Sequence, residues 1–397
     1  MTKIVNSWNE WDPLKRVIMG RPEGSNISGP EPAWQVDNPT GGYPLGTWGP
    51  VPQEMVDRAN EQMANYKAIL EKRGIIVEQI DIMPFMLNQP LPSPLGWTHP
   101  NAYGVNNVRD ATMIHGNKII EATMSRRSRV YERFNLRPIF EGYLDEDPEA
   151  VFFSAPFPML TDESFNRNYN YHYDNVWTDE EKREKLYNLE WQLTEKEALW
   201  DAADGMRFGK DIFHQASCLT NRKGMKWLRN MFAEFGIRYH ACQFDSPYDY
   251  SLPGATDNFH PWHIDVNLLP VRPGLCFTNP DWSPRNPELR RLFEINDWEL
   301  VEAVRPTYKH QNACTMVGHY DGFSWISMNC LSLDPKTICV EAKETAFCEQ
   351  LDKYGLEVIP IDYEAVFPFG GSFHCTTLDV YREGVCEDYF PKQVPGY

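Results

Sequence analysis

The chain has 397 residues, 42% of them apolar, so it can bury a large core. Acidic residues outnumber basic ones by 56 to 38, a formal charge of -18, which argues against an extended basic surface for nucleic acid. No apolar run has signal or membrane-span length, and nine scattered cysteines without a CxxC pair suggest free thiols, so a cytoplasmic protein without membrane contact is expected.

Near the start, KRVIMG reads as a β run. The Pro- and Gly-rich stretch 28–50 reads as an ordered loop with aromatic anchors, or as a lid. A helix over 58–73 leads into ILEKRGIIVEQID at 69–81, which combines a helix end, a turn glycine and a strand. The same form returns in MFAEFGIRYHACQF (231–244) and QLDKYGLEVIPID (350–362). A weaker version, LFEINDWELVEAV (292–304), has Asn296 and Asp297 at the turn. The last three turns lie about sixty residues apart. Two β-like runs precede each of the later helices, for example HIDVNLLPV with GLCFTNP, and WISMNCLSL with KTICVEA. The unit is strand, strand, helix, strand, and four or five units fill the length. The first unit draws on both chain ends, SFHCTTLDVY and KRVIMG, which makes 1–397 one domain. Units of this size must pack on their neighbours to bury their apolar faces, and ring closure is one way to do so.

Residues with chemical potential gather near the first strand of each unit. VRDATMIHG carries Arg109 and Asp110, and WDAADGMRFGKDIF carries Asp201, Asp204, Arg207, Lys210 and Asp211. WHIDVNL carries His263 and Asp265, and SFHCTTLDV carries His374, Cys375 and Asp379. If these strand starts converge, they assemble a nucleophilic sulfur, an imidazole and several carboxylates. His263, with an ordinary pKa near 6.5, suits proton transfer, and on a strand Asp265 shares its face. Carboxylates arranged in this way would hold a planar cation such as a guanidinium. Each residue also has a plainer reading. Cys375 can be an inert buried thiol, His374 a structural residue opposite it on a strand, and His263 a satisfied core histidine. Asp204 and Asp211 can cap turns or pair with Arg207 and Lys210. HPWHID offers His260 and His263 as metal ligands, but on a strand they face opposite ways, and there is no HExxH. No phosphate loop or dinucleotide fingerprint follows a strand, so neither a metal nor a cofactor is expected.

Taken together, VNSWNEWDPLKRVIMGR, GNKIIEATMSRRSR, WDAADGMRFGKDIF, TNRKGMKWLR, HIDVNL, WISMNCLSLD and GGSFHCTTLDV resemble the glycine amidinotransferase family, within the guanidine-modifying superfamily. They span nearly the whole chain. The resemblance implies an α/β fold, a five-bladed propeller of pseudo-fivefold ββαβ modules. It implies cysteine-dependent, ping-pong amidino transfer from arginine to an amine without a cofactor. Cys375, His263 and Asp201 fall on the family's catalytic set, and Asp110 and Asp265 on its guanidinium-binding carboxylates, with Asp204 in support. The partners implied are a guanidine donor and an amine acceptor, and a homodimer is the candidate assembly.

The chain departs from the family pattern around the substrate end groups. His260 and Trp262 stand before the histidine, and Trp282 stands where an arginine is expected, with Arg285 nearby. Gly322 and Phe323 replace a serine pair, Tyr381 and Glu383 alter the tail, and the loop 246–261 is longer. His260, Trp262 and Trp282 are therefore read as substrate-binding residues, and the acceptor as a primary amine other than glycine in a specialised biosynthetic pathway. Glycine as acceptor, a hydrolase or deiminase, and a noncatalytic guanidine-binding protein are the alternatives.

Overall fold

The computed structural model describes residues 3–32, 47–87, 89–166, 192–243, 263–280, 287–306 and 324–394, with isolated positions between 178 and 190. The helix Gln53–Lys72 buries Val56, Ala59, Met63, Tyr66 and Leu70, steps of three and four that put all five on one face. It ends because Gly74 turns left-handed at φ 81°. The Gly74 N–H then reaches the Glu71 carbonyl and the Ile75 N–H reaches back to Leu70, the paired bonds of a Schellman closure. Gly236 and Gly355 close the helices Arg222–Ala233 and Thr345–Lys353 by the same pattern. Asp297, at φ 60°, closes Pro287–Ile295 without a glycine.

A strand pairs parallel to its sheet just after each of these turns. Ile76–Gln79 lies beside Leu14–Met19, which pairs antiparallel with Thr377–Arg382 from the other end of the chain. Arg238–Cys242 lies beside Asp211–Gln215, which pairs antiparallel with Gly205–Phe208. Leu268–Arg272, Leu275–Thr278 and Glu299–Glu302 repeat this order, as do Leu331–Asp334, Thr337–Glu341 and Glu357–Ile361. Thr112–His115, Lys118–Glu121 and Val151–Ser154 form another such sheet.

The expectation of a five-bladed propeller is corrected. The described strands form five three-stranded and two two-stranded sheets, and no sheet closes into a barrel or propeller. Each three-stranded ladder stops at its third strand. The N-terminal segment bridges to two of the sheets, Ser7 with Gly116 and Asn9 with Phe208, and apolar side chains pack between sheets. The architecture is mixed α/β with six helices among the described residues. None of those helices is long and apolar enough to cross a membrane. The eight cysteines among the described residues are free thiols.

Short helical turns, rather than strand ends, lead into the first strand of several sheets. Val108–Ala111 precedes Thr112–His115, Ala202–Asp204 precedes Gly205–Phe208, and Ile264–Val266 precedes Leu268–Arg272. Ser324–Met328 precedes Leu331–Asp334, and a turn over 373–376 precedes Thr377–Arg382. These turns pack on one another, so residues far apart in sequence meet.

Candidate active site

The turns bring Cys375, His263, Asp110, Asp201, Asp204 and Asp265 together, all buried. Ligating atoms of Asp110, His263 and Cys375 lie within 4.8 Å of one another. His263 sits between two carboxylates. Its Nδ1 is 3.7 Å from Asp110 Oδ1 and its Nε2 is 3.5 Å from Asp201 Oδ2. Burial disfavours the charged ring, but Asp110, Asp201 and Asp204 outweigh it and push the His263 pKa up to about 10. The imidazole therefore carries both ring protons at neutral pH, unlike a histidine poised near 6.5.

Asp265 does not share a strand face with His263, because 264–266 coil into a helical turn. The turn aims Asp265 at the sulfur: the Cys375 thiol donates to Asp265 Oδ2 at 3.2 Å. His374 is in a turn too, not across a strand from Cys375. Its Nδ1 meets Asp265 Oδ2 at 2.8 Å and its Nε2 meets Glu10 Oε2 at 3.3 Å. Burial works to raise the Asp265 pKa, yet the hydrogen bond and charge of His374 hold the carboxyl below its ordinary value. Asp204 accepts from Ser217 Oγ at 2.6 Å and Thr220 Oγ1 at 2.5 Å. Burial still pushes its pKa up to about 7, against the pull of His263 and of those hydroxyls.

Asp110 Oδ2 accepts from Arg129 Nη1 at 2.8 Å, and Arg129 is itself forked onto Glu132. Asp110 Oδ1, both oxygens of Asp201, Asp204 Oδ1 and Asp265 Oδ1 are buried without a hydrogen-bond partner among the described residues. Buried carboxylate oxygens are rarely left this way, and a charged donor group entering the cluster would satisfy them. Cys375 is held as a thiol: burial raises its pKa well above the ordinary value, and the charges of Asp265 and Asp110 raise it further.

Other charged residues named from the sequence do different work. Arg207 pairs with Glu10 and Asp379, and Arg109 with Asp379. Asp211 binds Arg238 and His240, while Lys210 lies 4.0 Å from Asp388. His260, Trp262 and Trp282 lie outside the described residues, as do the loop 246–261, Arg285, Gly322, Phe323 and 33–46 of the 28–50 stretch. Tyr381 is half-buried and Glu383 pairs with Lys15 at 3.2 Å. Sequence reasoning missed Asn329, which touches the sulfur, and Glu10, which touches His374. A lone asparagine inside the apolar run WISMNCLSL and an acid between two tryptophans were the available signals.

A buried thiol, a protonated imidazole and surplus carboxylate charge are the features of a cysteine-dependent enzyme. No family model matches the chain. It is 30% identical to the mitochondrial glycine amidinotransferase of Xenopus tropicalis over 97% of this chain and 85% of that protein. It is 31% identical to an L-arginine:L-lysine amidinotransferase of Pseudomonas savastanoi pv. phaseolicola, over 98% of this chain and 97% of that one. Among solved structures, SxtG, an amidinotransferase of the saxitoxin biosynthetic pathway from Microseira wollei, superposes with a TM-score of 0.79 at 31% identity. That match covers 97% of this chain and 99% of the other. The chain belongs to the glycine amidinotransferase family and is a cysteine-dependent amidinotransferase.

Proposed function

We propose that this enzyme moves the amidino group of L-arginine through a covalent amidino-Cys375 to glycine and releases L-ornithine. The observation that carries the reading is the convergence of Cys375, His263 and Asp110 within 4.8 Å, beside carboxylate oxygens that lack partners. In this reading the donor guanidinium docks among Asp110, Asp201 and Asp265. Its charge offsets the carboxylates around the thiol, so the sulfur ionises when the electrophile is in place, its proton passing first to Asp265 Oδ2, to which it already donates. A C–S bond forms, the C–N bond to the ornithine nitrogen breaks, and His263 supplies the proton that lets the amine leave. The thiol proton replaces the one given away, and the thiouronium keeps the positive charge. The acceptor amine then reverses these steps, with His263 taking its proton.

Glycine is the acceptor in the names of several matched relatives, which favours it over the larger amine expected from Trp262, His260 and Trp282. Lysine is the second reading, favoured by the relative named for transfer to L-lysine. Intact mass after arginine exposure and acid quench is the test. A gain of about 42 Da on Cys375 is expected. Glycine should then restore the original mass faster than lysine does; a lysine preference selects the second reading. Citrulline or urea without an added amine would select a hydrolase, and untouched arginine with no mass gain overturns the donor.

A further inference from the structure

The turn that carries Cys375 is fixed by a side chain from the segment leading into another sheet. Asn329 is 1% exposed and follows the helical turn Ser324–Met328. Its Oδ1 accepts from the backbone N–H of Ser372 at 3.1 Å and of Cys375 at 3.0 Å. Its Nδ2 lies 3.1 Å from Cys375 Sγ. The amide orientation follows from chemistry: two backbone donors point at one end of the group, so that end is the oxygen and the sulfur faces the N–H₂.

The sulfur therefore has two polar neighbours of opposite effect. Asp265 accepts from the thiol and stabilises it, whereas Asn329 donates and stabilises the thiolate. A purely structural clamp needs only the oxygen. An aspartate at 329 would satisfy both backbone donors equally well, yet the chain places an amide nitrogen against the reacting atom.

We propose that Asn329 is a catalytic residue of the amidino-transfer cycle, its Nδ2–H donating to the Cys375 sulfur whenever that sulfur carries negative charge. This rests on the amidino-cysteine reading above. In the first half-reaction the donated hydrogen bond stabilises the attacking thiolate as C–S forms and the arginine C–N bond breaks. In the second it stabilises the departing thiolate as the acceptor nitrogen bonds to carbon and C–S breaks. His263 gives the first amine its proton and the thiol proton replaces it, and the second amine's proton returns by the reverse route, so Asn329 gains and loses nothing. Because the same side chain anchors the backbone at 372 and 375, donor and sulfur keep their spacing through both steps.

The test is Asn329→Asp, which keeps the oxygen clamp, removes the donor and adds a negative charge. Iodoacetamide alkylation of Cys375 is followed across pH by mass, with the peptide identified and no amidino donor present. The expected result is an upward shift of about one pH unit or more in the alkylation midpoint. With arginine and glycine, kcat should fall about 100-fold while the arginine KM stays within about threefold. Asn329→Ser, read in the same way, keeps the test valid if the aspartate variant does not fold. A folded variant lacking Nδ2 whose Cys375 midpoint matches the wild type overturns the proposal. Since alkylation needs no substrate, a wild type that fails to transfer from arginine would count against the proposed function and leave this readout standing.

Discussion

Two buried charged clusters lie back to back in this protein, and they differ in how their charge is balanced. Behind the site, Asp379 accepts from Ser7, Arg109, Arg207 and Arg382, while Glu10 takes a second fork from Arg207. Burial would raise both carboxyls, but the arginines hold them well below their ordinary range. At the site, Asp110, Asp201, Asp204 and Asp265 surround one imidazole and a thiol, and five of their oxygens lack a hydrogen-bond partner among the described residues. The residue types are similar. Saturation with arginine makes the first cluster a structural joint, whereas in the second the one arginine pair, Arg129 with Asp110, leaves carboxylate charge in excess. His374 bridges the two, with a nitrogen toward each.

The site cluster is most sensitive at the sulfur. Cys375→Ser should abolish the amidino adduct and lower turnover by about 1000-fold or more, with unfolding unchanged. Mass after acid quench and a urea titration read the two halves of that statement. On the saturated side, Asp379→Asn should cost about 3–5 kcal/mol in a urea titration, because three buried arginines lose their shared carboxylate. The matching change in the other cluster, Asp201→Asn, should cost far less, because it removes a single 3.5 Å ion pair with His263 and no arginine. A loss of about 1 kcal/mol is expected in the same titration, while kcat/KM falls about 100-fold. Equal losses of stability in the two variants would dissolve the distinction.

The clusters should also fail at opposite ends of the pH scale. Glu10 and Asp379 have lowered folded-state pKa values, so their contribution is present above the ordinary carboxyl range and is lost as pH falls below that range toward the lowered values. His263 has a folded-state value of about 10 against 6.5, so its contribution is complete below pH 6.5 and is lost as pH rises toward 10. Asp204, at about 7 against 3.8, adds a further decline between those values as folding penalises its charged form. Unfolding temperature against pH should show both limbs, and His263→Asn should flatten the alkaline one only. The smallest effect is remote from both clusters. Asp297→Gly, at a left-handed turn, should stabilise by about 0.5 kcal/mol in thermal unfolding, as the strain removed slightly exceeds the added unfolded-state entropy.

Legibility followed the range of the interaction. The closures at Gly74, Gly236 and Gly355 each involve about six consecutive residues, so a glycine between a helical and a β pattern predicted them correctly. Asp297 was read as a weaker version of the same turn, and it takes the same backbone path. The strand geometry assigned to His263 and Asp265 was wrong, because a three-residue helical turn has no periodicity long enough to detect. Asp379 was grouped with the site residues, but three arginines neutralise it. Those partners come from segments up to 270 residues away, as with Arg109.

By itself, then, the sequence determined the helix–turn–strand punctuation, the family and the residue types available for cysteine chemistry. These depend on local backbone preference and on side-chain chemistry, both of which are properties of short stretches. Tertiary structure alone decided that the sheets stay separate, which carboxylates meet an arginine, and that Asn329 reaches the sulfur. A buried charge is balanced or left open according to which distant segments surround it, and only the packed chain brings those segments together.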